Sequence, residues 1–76
     1  MLLSTNQVKE LVEAHIPGSR VSVTDLTGTS DHFGIDVVSE AFEGKSPIDR
    51  HKMVHAALTE HLGGAIHAVQ IKASTP

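Results

Sequence analysis

Histidine supplies most of the reactive side-chain chemistry in this sequence, which has six histidines and no cysteine among 76 residues. Imidazole titrates near neutral pH and binds iron, zinc and copper. The lack of cysteine excludes disulfides and thiolate ligation by this chain. His32 and His67 are the strongest ligand candidates, because each adjoins a predicted strand. Two imidazoles make half of a four-coordinate metal site, so a partner or small molecule would have to complete it.

A second group of reactive side chains is basic. Lys45, Arg50, His51 and Lys52 cluster around a charged turn and the start of a predicted helix, where they could contact phosphates or acidic groups of a partner. A formal net charge of -3 opposes a main role in gripping a phosphate backbone. The sequence also lacks a GxxG loop and has few aromatics for base stacking. A solvated surface that docks a protein partner is the alternative to nucleic-acid binding.

Catalytic motifs are not apparent. Gly44-Lys45-Ser46 resembles the end of a phosphate-binding loop, but the first glycine of that motif would fall at position 39, which is Ser39. No Ser-His-Asp set or supported carboxylate pair occurs, and so small a domain offers little concave volume. We therefore expect no enzymatic activity.

Two amphipathic helices are predicted to position these groups. The first begins at Ser4, with Gln7 as its capping-box partner, and ends before Pro17-Gly18. The second begins at Ser46-Pro47, where the serine can cap free amides and proline suits the first helical position. Its apolar stripe continues past Leu58, so we expect this helix to extend to Gly63-Gly64.

Alternating apolar residues predict three strands, at residues 20–26, 33–38 and 66–72. The first two are joined by a loop and should pair antiparallel, whereas a helical crossover favours parallel pairing of the last two. The predicted fold is α+β, a three-stranded mixed sheet with helices on one face. Neighbouring parallel strands begin at the same end of the sheet and lie about 4.8 Å apart, which would bring His32 and His67 together.

The alternative interpretation of this pair is that neither residue binds a metal: His32 is then a polar loop residue and His67 a hydrogen-bonded residue at a strand end.

The length predicts a single domain over residues 1–76. No apolar run approaches membrane-spanning length, and the N-terminus lacks the pattern of a secretory signal. We therefore expect a cytoplasmic protein with no membrane association.

Two motifs carry a family resemblance. They are Phe42-x-Gly44-Lys45-Ser46-x-x-x-Arg50-His51-Lys52 and His67-Ala68-Val69-x-Ile71-x-Ala73-x-Thr75-Pro76. In this order and separation they resemble the BolA family. The resemblance implies a small class II KH-like domain with the element order α-β-β-α-α-β. Many relatives continue past this point into a further helix, so any such contribution is expected to be missing or made elsewhere.

The resemblance also implies a function. BolA proteins act as non-enzymatic adaptors that pair with a monothiol glutaredoxin and glutathione to share a [2Fe-2S] cluster. His67 matches the family's ligand at the start of the last strand, and His32 matches the second ligand, in the loop between the first two strands. Lys45, Arg50 and His51 would form the adjoining surface that faces glutathione or the partner. The isolated chain would then hold no cluster, and a DNA-binding transcriptional regulator is the alternative function.

Overall fold

The computed structural model describes residues 3–26, 28, 32–64, 66 and 68–76. His67 lies outside these described residues. The elements, in chain order, are α1 (Thr5–His15), β1 (Arg20–Asp25), β2 (His32–Val38), a 3-10 helix (Glu40–Phe42), α2 (Pro47–Ala56) and β3 (Ala68–Ser74). The 3-10 helix occupies the place of the short middle helix in the predicted order.

The three strands form one mixed sheet in the order β1-β2-β3. β1 pairs antiparallel with β2, while β2 pairs parallel with β3. His32 is the register partner of Ala68 at one end of the parallel pair, and Val38 is the partner of Ser74 at the other. The predicted strand order and directions are therefore confirmed.

The core lies between one face of this sheet and the two helices. Phe33, Ile35 and Val37 of β2 are buried, and the intervening Asp36 is exposed. α1 packs on β1 and α2 packs on β3. Side chains of a strand alternate between faces, and among the described residues the opposite face of the sheet carries exposed side chains such as Ser22, Asp36 and Lys72; this face is called the open face below. This confirms a sheet with helices on one face.

The start of α1 follows the prediction. The amide of Gln7 donates to the Ser4 hydroxyl at 3.1 Å, and the Ser4 amide donates to the Gln7 side-chain oxygen at 2.8 Å. This capping box satisfies two amides that the first turn would otherwise leave unpaired. The helix ends at its C-cap, Ile16, one residue before the predicted Pro17-Gly18 stop.

The predicted end of α2 is wrong. The α-helix stops at Ala56, and the next amides, of Ala57 and Leu58, donate to carbonyls three residues back. The Thr59 hydroxyl donates to the His55 carbonyl at 3.2 Å, the acceptor that a continuing helix would offer to the Thr59 amide. Tighter turns carry the chain onward while keeping Leu58 fully buried, so the apolar stripe persists without the helix.

The strand boundaries also differ slightly from the prediction. β3 begins at Ala68 rather than Ile66, because Ile66 joins only an isolated bridge with Leu62. It extends to Ser74, whose carbonyl accepts a 3.0 Å bond from the Ser39 amide. His32, expected in the loop before β2, is instead the first residue of that strand. Within the described ranges, no helix is both long and apolar enough to cross a membrane.

Candidate metal edge and basic turn

His32 stands at the edge of the sheet where the parallel pair begins. Its backbone is held on both sides, since it pairs with Ala68 of β3 and its carbonyl accepts a 2.9 Å bond from the Leu26 amide. Its side chain is half-buried. It alternates with Phe33, which faces the core, so it belongs to the open face of the sheet.

The neighbours of His32 on the open face are small or exposed. Ala68 lies across the ladder and Gly34 lies two residues along β2. Leu26 is 47% exposed and lies over Gly34, so close that a β-carbon there would meet Leu26 Cδ2 at 3.1 Å. A shallow groove of about 360 Å³ continues from Leu26 and Gly34 toward Lys72. The open face therefore carries a groove of mixed polar and apolar lining near His32.

The structure does not test the predicted convergence of His32 with His67, because His67 lies outside the described residues. The described neighbour of His32 across the ladder is Ala68, the residue that follows His67 in the sequence. Among the described residues, no group of three or more histidine, aspartate or glutamate side chains is placed to hold a metal ion. The described residues therefore contain no complete metal site.

The turn before α2, residues 43–46, is here called the basic turn, and several backbone contacts hold it in place. Phe42 is fully buried and its carbonyl accepts a 3.0 Å bond from the Lys45 amide. Gly44 has a φ of 76°, in the left-handed region that favours glycine. The Ser46 hydroxyl then caps α2 by accepting a 3.2 Å bond from the Asp49 amide. This turn is therefore anchored in the core on one side and in the helix on the other.

Arg50 takes part in holding this turn. Its Nε donates to the Lys45 carbonyl at 3.0 Å, and its side chain is half-buried. Lys45 and His51 are exposed. Of the three residues predicted to face glutathione or a partner, Arg50 thus has a positioning contact, whereas the other two present their side chains to solvent.

Comparison with known proteins decides the family. The sequence model of the family described as "BolA-like protein" matches residues 6–76. The chain belongs to the BolA family. It is 57% identical to BolA-like protein 1 of Homo sapiens over 49 residues, which cover 64% of this chain and 36% of that protein. The chain thus matches only about a third of the length of this curated relative.

Solved structures agree with the BolA assignment. The structure of a bolA protein homologue from Coxiella burnetii is 33% identical, with a TM-score of 0.84, and the match covers 99% of this chain and 94% of that one. The BolA domain of SufE1 from Arabidopsis thaliana is 30% identical, with a TM-score of 0.83, covering 97% and 95% of the two chains. The predicted fold class is confirmed, and the topology is compatible with the class II KH-like arrangement.

The topology separates the two predicted parts of the BolA site. Because β2 and β3 are parallel, α2 must return from the Val38 end of the sheet to the Ala68 end. The basic turn precedes α2, whereas His32 begins β2, a seven-residue strand that spans roughly 20 Å. Lys45 and His32 therefore lie toward opposite ends of the β2–α2–β3 unit, and α2 runs between them.

Two features of this surface were missed by sequence reasoning. The first is the bond from Arg50 to the Lys45 carbonyl, for which the sequence carries no clear signal. The second is the proximity of His51 to His55, whose ring centroids lie 5.9 Å apart. Their spacing of four residues on a predicted helix was a usable signal, since such residues share a face. Both histidines are exposed.

Proposed function

We propose that this protein is a non-enzymatic BolA adaptor that shares a [2Fe-2S] cluster with a monothiol glutaredoxin and glutathione in the cytoplasm. His32 and His67 are the ligands from this chain, and the partner and glutathione supply the sulfur ligands. The observation that carries the proposal is the position of His32. It is a metal-ligand side chain on a sheet-held backbone, next to the exposed Leu26 and an open groove.

The chemistry of the chain supports a shared cluster rather than a resident one. Iron–sulfur clusters are usually held by cysteine thiolates, and histidine can replace cysteine on one iron, which raises the potential of Rieske centres. This chain has no cysteine, so it cannot supply a thiolate ligand. A complete ligand shell consequently requires sulfur donors from another molecule. The BolA domain of SufE1 shows that such domains also occur within a protein of another name, which fits a module that works with partners.

The small neighbours of His32 support access by a partner. Ala68 and Gly34 place little side-chain bulk beside the imidazole on the open face. Leu26 offers an apolar contact that water only partly covers. A partner that contributes the remaining ligands could thus approach this edge without displacing core residues.

The basic turn would serve the same complex from a distance. Lys45 is exposed and held by the turn, so it can attract carboxylates of an acidic partner surface. His51 is exposed on the following helix. These contacts would orient the partner along α2, while ligation takes place at the His32 edge.

The test is reconstitution of the complex. The chain is mixed with a monothiol glutaredoxin, glutathione, ferrous iron and sulfide without oxygen, and visible absorption, circular dichroism and size exclusion are recorded. We expect a 1:1 heterocomplex whose visible dichroism differs from that of the glutaredoxin cluster alone. An unchanged glutaredoxin spectrum, with the chain eluting separately, would reject the proposal.

DNA-binding regulation receives less support from the structure. The only aromatic side chains, Phe33 and Phe42, are fully buried and cannot stack on bases. Asp49 adds a negative charge in the first turn of α2, beside the basic residues. We expect weak binding to generic duplex DNA that collapses as salt rises. Tight, sequence-selective binding at physiological salt that is lost on neutralising Lys45 and Lys52 would favour the regulator instead.

A further inference from the structure

The exposed side of α2 carries a pair of histidines that are not ligands of the proposed cluster. His51 and His55 are four residues apart on a regular helix, so their side chains lie over each other on one face. Both are exposed. Their ring centroids are 5.9 Å apart and the ring planes are inclined by 56°. The two rings are therefore close enough to bind the same small ligand.

We infer that His51 and His55 form a bidentate site for a divalent transition-metal ion, with Cu²⁺ bound most tightly. Neutral imidazole suits copper, nickel and zinc, and among these ions affinity is highest for Cu²⁺. Two histidines with this spacing on a helix already provide two metal ligands in the zinc proteases. Water would fill the remaining coordination positions, because both side chains face solvent.

The measured separation fits a shared ion. A metal–imidazole bond is about 2.1 Å long, so two rings on one ion have centres roughly 4.5–6 Å apart when the angle at the metal is a right angle or wider. The observed 5.9 Å lies at the wide end of this range. A right angle at the metal, as in tetragonal Cu²⁺ sites, requires the two side chains to rotate toward each other, and their exposure means that neither ring has to leave a packed position.

The helix prepares this site in advance. The Ser46 cap and Pro47 fix the first turn of α2, and the buried Val54 anchors the helix in the core. The two backbone positions are thus fixed before the ion arrives, and only side-chain rotamers are ordered on binding. Once one imidazole is bound, the second binds as an intramolecular ligand at high effective concentration.

The test measures Cu²⁺ affinity of the full chain by competition titration and records the electron paramagnetic resonance spectrum. We expect H51Q and H55Q each to lower the affinity roughly 100-fold, because each removes the chelate. The double variant should fall little further than either single variant. Additive losses, or single losses below threefold, would overturn the inference.

A spacing variant supplies the matched control. H55Q combined with Ala56→His keeps six histidines but places the second one five residues from His51, on a different side of the helix. It should behave like H55Q alone, and recovery of the original affinity would reject the shared site. H15Q, at an exposed position in the last turn of α1, should leave the affinity unchanged.

A further variant separates this site from the proposed cluster ligands. The combination H32Q/H67Q should abolish the cluster-bridged complex yet retain Cu²⁺ affinity and the thermal stabilisation that bound metal gives. Loss of Cu²⁺ binding in that variant would assign the copper site to His32 and His67 and overturn the inference about α2. The cluster proposal is tested separately by the glutaredoxin spectrum.

Discussion

The basic turn before α2 and the His32 edge of the sheet are held in place by different means. The conformation of the turn depends on a glycine in the left-handed region, a serine cap and the Arg50 side chain, so side chains contribute to its stability. At the His32 edge, the conformation is instead fixed by backbone pairing, with Ala68 on one side and Leu26 on the other. Substitutions in the turn should therefore lower the free energy of unfolding, whereas substitution of the His32 side chain should mainly weaken cluster binding.

The largest expected effect is on cluster binding at the sheet edge. His67→Ala and His32→Ala should each abolish the cluster-bridged complex or alter its visible dichroism completely, because an imidazole ligand is lost. Thermal unfolding should change little, since the ladder holds His32 through its backbone. The measurements are spectra of the reconstituted complexes and melts of the free variants. His15→Ala is the control, and unaltered spectra and cluster lifetime in both variants would show that these histidines are not ligands.

The next effect is a loss of stability in the turn. Gly44→Ala forces a side chain into a backbone with φ of 76°, although no atom lies within 4 Å of the new β-carbon. We expect the free energy of unfolding to fall by about 1–2 kcal/mol, measured by urea denaturation. Gly64→Ala is the matched control, since its β-carbon would lie 3.7 Å from the His61 carbonyl oxygen, at ordinary contact distance. Equal losses in the two variants would refute a special role for the conformation of Gly44.

A somewhat smaller loss is expected at the helix cap. Ser46→Ala leaves the Asp49 amide without its 3.2 Å acceptor, which should reduce the free energy of unfolding by about 1 kcal/mol. Ser46→Asn supplies another capping side chain and should restore most of this stability. If the asparagine variant is as unstable as the alanine variant, the cap is not the source of the loss.

The smallest effect concerns the bond between Arg50 and the turn. Arg50→Lys keeps the positive charge but removes the Nε that donates to the Lys45 carbonyl, and we expect a loss below about 1 kcal/mol because the bond is exposed. Lys52→Arg, on the same helix and exposed, should have no measurable effect. A loss larger than that of Ser46→Ala would mean that Arg50 contributes more than this bond.

Local signals predicted the starts of the two helices better than the end of α2. The caps at Ser4 and Ser46 are decided by side chains within three residues, which the sequence displays directly. The end of α2 depends instead on competition among carbonyl acceptors near His55, while the apolar stripe continues through Leu58. Periodicity reports which side chains are buried, and it cannot distinguish a helix from tighter turns that bury the same residues.

The candidate site was likewise predictable only in part. Strand order was predictable because connection lengths restrict the pairing, and it located His32 at the start of the parallel pair. The separation of Lys45 from His32 was not anticipated, because the family resemblance implied an adjoining surface without fixing its position in the fold. The exposure of Leu26 over Gly34 depends on packing across β1 and β2, for which a single sequence gives no direct signal.

The parallel pairing of β2 with β3 has a consequence for how the chain folds. β1 and β2 are connected directly along the chain, whereas His32 and its partner Ala68 are 36 positions apart. Closing the longer loop costs more chain entropy, and non-local pairing slows folding. We therefore expect the β1–β2 hairpin to form early and β3 to dock last, with α2 already in place. The edge at which His32 meets Ala68 would then be among the last parts of the domain to assemble, so a newly made chain acquires this proposed ligand-binding edge only when folding is complete.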